Sequence, residues 1–303
     1  MSNFSGLKLS PPSTLAHKLV WVDGPARSGK TTLCRLIGSL ENCELERIEE
    51  VIDYVGFLYS FGKIEHDAAV AMLRMFPNVF LYNSLLSRNI NFRWRDTSSA
   101  LRSSHPMKYL RRLFGREHHD ALKREGVERA IFQNHTHFQL ERINIHFDAH
   151  PDALSVIELQ RHPASLVHAW WLKGRGGDLC DSPWNIAVCG GTGDNRVHHL
   201  AFGCEEEYLK APPLERILLM LNGAQMRARE TYLALSEERR QKVKLIRFEE
   251  LISAPSDIID EVAAFLGTRT TNKTSRAISK LKLPWNVSDT KNKKGVTDFK
   301  SEL

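Results

Sequence analysis

Apolar positions along this chain fall into short continuous runs, separated by stretches of helical period. Lys18–Asp23 (KLVWVD) is a β-type run ending in a glycine-rich turn, and the pattern predicts a helix from Thr31 to about Leu40. Helical patterns recur around 65–75 and 117–126. Ala130–Gln133 (AIFQ) and Ala153–Leu159 (ALSVIEL) predict buried strands separated by a helix-length segment, and Pro163–Lys173 reads as helix again. A long helix over 213–235 and a strand over Lys242–Arg247 follow. Ser253–Gly267 predicts one further helix, with Pro255 in its first turn and Gly267 as a left-handed stop. Its stripe is Ile258, Ile259, Val262, Phe265 and Leu266. Strands alternating with helices predict an α/β fold, three layers α/β/α around a central parallel sheet.

The periodicity lapses over 174–204, rich in Gly, Cys, His and Asp, which predicts a loop or lid inserted into one domain over 17–285. Residues 1–16 read as a loose lead-in and 286–303 as a polar, Lys-rich tail. With 303 residues, 42% of them hydrophobic, the chain can bury a substantial core. A formal net charge of +6 suits anionic ligands and leaves peripheral membrane contact open. No basic–aromatic stripe points to nucleic acid. Five cysteines in odd number, without a CxxC, predict reduced thiols and a cytoplasmic protein. Pro11 and Pro12 stand where a secretory apolar segment would lie, and no 18-residue apolar run occurs.

The turn after the first strand carries the sharpest chemistry. Gly24-Pro25-Ala26-Arg27-Ser28-Gly29-Lys30-Thr31 matches GxxxxGK[ST]. Such a loop curls so that backbone N–H groups face phosphate oxygens, the helix behind it adds its positive end, and Lys30 adds a full charge. The loop specifies a phosphate-bearing ligand without specifying which one.

The letters Arg27-Ser28-Gly29-Lys30-Thr31-Thr32-Leu33 resemble the 5′-phosphosulfate loop of sulfotransferases, with Lys30 replacing the usual first Thr or inserted before the Thr pair. ALSVIELQRHPASLVHAWW (Ala153–Trp171) is similar to the family's strand, R-[DHN]-P and helix, and Arg161 occupies the place of the arginine that binds the 3′-phosphate. A planar guanidinium is a natural bidentate phosphate clamp. The family's later serine is Ala169 here, with Ser165 as the candidate substitute. Lys244–Gly267 (KLIRFEELISAPSDIIDEVAAFLG) resembles the family's strand, [YF]-E-[DE]-L and helix, and Lys293–Phe299, with Lys294 and Gly295, faintly resembles its nucleotide-capping tail. The resemblance implies a P-loop fold and sulfuryl transfer from 3′-phosphoadenosine 5′-phosphosulfate (PAPS) to a hydroxyl of a small molecule or glycan. It implies a nucleotide site of Arg27, Ser28, Gly29, Lys30, Thr31, Thr32, Arg161 and Ser165, and no metal.

Such a reaction needs a base for the acceptor hydroxyl. Glu49 and Glu50, about twenty residues after the loop arginine, match a Glu-Glu pair of tyrosyl-protein sulfotransferases. His135, just past AIFQ, matches the catalytic histidine of cytosolic sulfotransferases, although Gln133 replaces their lysine and His137 is an equal candidate to reach the site. Trp94, Trp171 and Trp184 are candidates to stack on an acceptor ring. His198 and His199 with Cys180, Cys189 and Cys204 fit no closed zinc spacing. The competing class is an ATP/Mg²⁺-dependent small-molecule kinase, which calls for a strand-end Asp where this chain has Arg161.

Overall fold

A computed structural model describes residues 6–96, 98–115, 122, 126–177, 179–181 and 187–285. The helical pattern at 117–126 falls almost wholly outside them, and Trp184, Lys294, Gly295 and the 286–303 tail lie outside entirely.

Four strands, β1 (Lys18–Asp23), β2 (Ile131–His135), β3 (Leu154–Gln160) and β6 (Val243–Arg247), form one all-parallel sheet in the order β2-β1-β3-β6. Alternate residues of β1 serve opposite faces. Leu19 and Trp21 join a core with Phe132, Phe147 and Leu73, while Val20 and Val22 join another with Leu33, Ile37 and Val262. The first core is covered by α2 (Glu50–Ser60), α3 (His66–Leu85) and α5 (Ile143–Ala149). The second is covered by α1 (Lys30–Ile37), α11 (Pro255–Phe265) and α12 (Asn272–Lys280). Helices on both faces of a central parallel sheet are the predicted three-layer α/β fold.

A third core joins α6 (Pro163–Trp171) and α8 (Pro213–Ala234) through Leu166, Trp170, Ile217 and Met220. The segment at 174–204 is less irregular than expected, because β4 (Cys189–Gly190) and β5 (Val197–His198) pair antiparallel within it. The helix expected over Ser253–Gly267 is α11, with Pro255 in its first turn and Gly267 left-handed (φ 60°), and a short separate helix precedes it. α10 (Phe248–Ser253) ends at Ala254 (φ −129°, ψ 60°), and α11 starts at Pro255. Proline disfavours helical backbone in the residue before it. The all-thiol expectation is corrected at one pair: Cys180 and Cys189 form a disulfide, while Cys34, Cys43 and Cys204 are free. No helix among the described residues is long and apolar enough to cross a membrane.

Candidate functional site

The carboxyl ends of β2, β1 and β3 lie side by side, which is where open parallel sheets bind ligands. From β1 the chain enters the phosphate loop. Gly24 (φ 128°) and Gly29 (φ 103°) hold conformations that side chains resist. A Cβ on Gly24 would sit 2.6 Å from the Leu159 carbonyl oxygen, so the loop packs directly on β3. Trp170 Nε1 donates to the Ala26 carbonyl at 2.7 Å and ties the loop to α6. Ser28 is buried, and its hydroxyl has no partner among the described residues.

Lys30 opens α1 and is buried, with its ammonium donating to the carbonyls of Gly24 and Pro25. Burial lowers its pKa to about 8, and the neighbouring Asp23 and Glu158 carboxyls oppose that fall. Burial and Asp23 push Glu158 well up.

Arg161 follows β3. Its guanidinium donates to the Arg27 carbonyl at 2.8 Å and lies over the Phe248 ring, 5.0 Å from the centroid. Its Nε is buried without a partner among the described residues. Ser165 is half-buried in the first turn of α6, Arg27 and Thr31 are exposed, and Thr32 is half-buried. A loop of strained glycines, an unsatisfied hydroxyl and a stacked guanidinium on one rim fit a ligand carrying two phosphate groups.

The base candidates separate. Residues 43–47 run beside β2 through bridges Cys43–Ile131 and Arg47–Asn134, which delivers Glu49 and Glu50 to the same end of the sheet. Glu49 precedes α2 and is held by the Arg47 guanidinium, with Nε at 2.7 Å. Glu50 lines a cavity of about 190 Å³ with Ala26 of the phosphate loop. His135 closes β2, buried, with Nδ1 unpartnered among the described residues, and burial together with Lys30 lowers its pKa to about 2. His137 stacks on it, centroids 4.8 Å apart, and reaches the cavity.

Asp53 is the residue that sequence reasoning missed. It lies on α2 one turn beyond Glu49 and Glu50, buried at the cavity wall. Its Oδ2 accepts from the His137 backbone N–H and faces His137 Nδ1, both at 3.1 Å. Burial pushes the Asp53 pKa well up and the His137 pKa well down, which favours the neutral imidazole. In the tautomer whose Nδ1–H donates to Asp53, the Nε2 lone pair is the basic one.

Tyr54, Phe57, Phe138 and Trp170 supply the aromatic walls of this cavity, with His198, His199 and Arg175 on its rim. Of the expected aromatics, Trp94 is exposed and Trp171 packs against the third core. Among the described residues no three His, Cys, Asp or Glu side chains gather as a metal site.

No protein-family profile and no curated protein matches this chain. Solved structures do. The sulfotransferase domain from the Synechococcus PCC 7002 olefin synthase is 11% identical, over 89% of this chain and 81% of that one, with a TM-score of 0.47. The sulfotransferase domain from the curacin biosynthetic pathway is 12% identical over 92% and 83%, with a TM-score of 0.45. A sulfotransferase from Alicyclobacillus acidocaldarius is 15% identical over 91% and 100%, with a TM-score of 0.39. All three are sulfotransferases or sulfotransferase domains.

Proposed function

We propose that this protein is a sulfotransferase that moves a sulfuryl group from PAPS to a ring-borne hydroxyl, on a carbohydrate, glycolipid or similar small acceptor. The observation that carries this reading is Arg161. It places a stacked guanidinium with an unsatisfied Nε beside the phosphate loop, at the end of the neighbouring strand. A single phosphate chain needs only the loop. A nucleotide with a separate 3′-phosphate needs a second cation beside it.

In the transfer, the acceptor oxygen bonds to sulfur as the bond from sulfur to the 5′-phosphate oxygen breaks. The acceptor proton passes to His137 Nε2, and the departing 3′,5′-diphosphate (PAP) carries the negative charge. Loop amides, Lys30 and Arg27 neutralise that charge, as in other in-line transfers. Asp53 holds the imidazole by its Nδ1 and faces the imidazolium as it forms. Glu50 is the second carboxyl on the cavity. The aromatic walls give a ring flat surfaces to stack on.

The test is thermal denaturation with PAP or ADP, with and without Mg²⁺. PAP should stabilise wild-type protein far more than ADP, without Mg²⁺, and Arg161→Met should abolish the difference. Equal stabilisation by ADP, or a strict Mg²⁺ requirement, would replace this reading with a kinase.

A further inference from the structure

A second cavity, of about 300 Å³, lies away from the phosphate loop. The last turns of α1 contribute Cys34, Arg35 and Gly38, and α12 contributes Lys273, Arg276 and Lys280. The turn at 99–104 and Tyr109 close it. None of Gly24–Lys30, Arg161, Asp53 or His137 lines it.

Its lining sets a group of cations beside one buried carboxyl. Five cations border it (Arg35, Arg102, Lys273, Arg276 and Lys280) against one carboxyl, Glu46. Ser99, Ser103 and Ser104 add hydroxyls. Lys273 and Lys280 are held by His105 Nδ1 and the Arg102 carbonyl, both at 2.7 Å, while Arg276 pairs with no carboxylate among the described residues. Glu46 is 5% exposed, one oxygen 3.9 Å from Arg35 Nε and the other, Oε2, with no hydrogen-bond partner among the described residues. A buried oxygen left without a donor is unfavourable, and a ligand donor would remove that penalty. Leu45, Ala277 and Leu281 add apolar lining to the cavity.

We infer that this cavity is a second ligand site, taking a small phosphomonoester whose phosphate meets the Arg102, Lys273, Arg276 and Lys280 cluster while a hydroxyl or amino group donates to Glu46. Several convergent cations suit a phosphate better than a carboxylate, because more charge and more acceptor oxygens are offered. The apolar lining matches a short carbon spacer. A bare anion offers Glu46 Oε2 no donor from a carbon-borne hydroxyl or amine.

Isothermal titration of the whole protein with glycerol 3-phosphate, O-phosphoethanolamine and inorganic phosphate tests this. The two organic phosphates should bind with Kd about 1 mM or tighter and at least about tenfold more tightly than inorganic phosphate. Arg276→Glu with Lys280→Glu changes two exposed side chains and should weaken both organic phosphates at least about tenfold. Glu46→Ala should erase the preference over inorganic phosphate. Lys30→Ala and Arg161→Met should leave the binding unchanged. Failure of both organic probes to bind overturns the inference. So does binding that survives the double charge reversal, or binding lost with Lys30 or Arg161, which would place the phosphate in the loop. Because loop variants and α12 variants are read separately, the outcome does not depend on which nucleotide the loop holds.

Discussion

Asp53 on α2 accepts from the backbone N–H of His137 and meets its Nδ1, each at 3.1 Å, although 84 residues separate them in the chain. The contact fixes the loop just past β2 and the imidazole at once, and leaves one ring nitrogen for chemistry. With base catalysis typically contributing about 10²–10⁴-fold, His137→Asn should lower kcat by about 10²-fold with the PAP-induced thermal shift intact. Asp53→Asn should cost less, about tenfold. The sign of the pH dependence follows from burial, which lowers the His137 pKa well below 6.5. The base form therefore persists on acidification, and kcat/KM should stay level from pH 7 to below the usual histidine midpoint. If Glu50→Gln removes activity and His137→Asn does not, the proton goes to Glu50.

Lys30 places the opposite limit on pH. Its charged form is the useful one, and burial brings its pKa to about 8. As pH rises through that value the free enzyme loses the cation, so kcat/KM should fall with a midpoint near 8, where an exposed lysine would hold to about 10.4. Lys30→Ala should lower turnover by roughly 10²-fold or more and remove this alkaline limb. An unchanged limb in Lys30→Ala would assign it to another group.

The phosphate loop and Arg161 were legible because each is contiguous with the strand that aims it, so motif and context share one stretch of sequence. Asp53 was not. It is one carboxylate in an aromatic and β-branched run, EVIDYVGFLYS, and matters only because α2 crosses the end of β2. The same holds for Trp170, whose link to Ala26 spans 144 residues. Glu49 and Glu50 were singled out by a resemblance at their distance from the loop, which says nothing of how α2 presents them. Which of them faces the cavity depends on the Arg47–Glu49 pair and on where α2 begins. The Cys180–Cys189 link was hidden because separation by nine residues specifies no partner.

A buried ion pair outside the site sets a stability test. Glu44 and Arg112 are both almost fully buried, joined by Nη1–Oε2 at 2.7 Å and Nη2–Oε1 at 3.1 Å, with Lys108 2.8 Å from Oε1. Burial would raise the Glu44 pKa, but Lys108 and Arg112 outweigh it and hold it at about 2. Removing one partner of such a pair leaves a buried charge exposed to its own desolvation. Arg112→Met should therefore lower unfolding free energy by about 3 kcal/mol, somewhat less if Lys108 moves in to compensate. A folded pKa below the unfolded value near 4.3 adds stability above that pH, lost as pH falls through 4 toward 2. Denaturant titrations at pH 7 and pH 3 should show the gap between wild type and Arg112→Met narrowing at the lower pH. A gap unchanged by pH would mean that Arg112 acts by packing rather than by charge.

Gly29 and Phe248 give the last test, because two separable penalties meet at one position. Gly29 holds φ 103°, and a Cβ there would lie 2.3 Å from the Phe248 ring carbons Cδ2 and Cε2. Phe248 cannot retreat freely, since it begins α10, is buried, and carries Arg161 on its face. Gly29→Ala should thus lose on the order of 1–3 kcal/mol for the backbone conformation, with an added steric cost. The two parts respond differently to a second change. Phe248→Leu in the Gly29→Ala background trims the ring and should recover part of the stability, while the backbone strain remains. That double variant also removes the surface under Arg161, so the preference for PAP over ADP should shrink even where the fold has recovered. Thermal denaturation of the four proteins, each with and without PAP, measures both effects together. Strict additivity of the two substitutions would show that the ring and the added methyl do not meet.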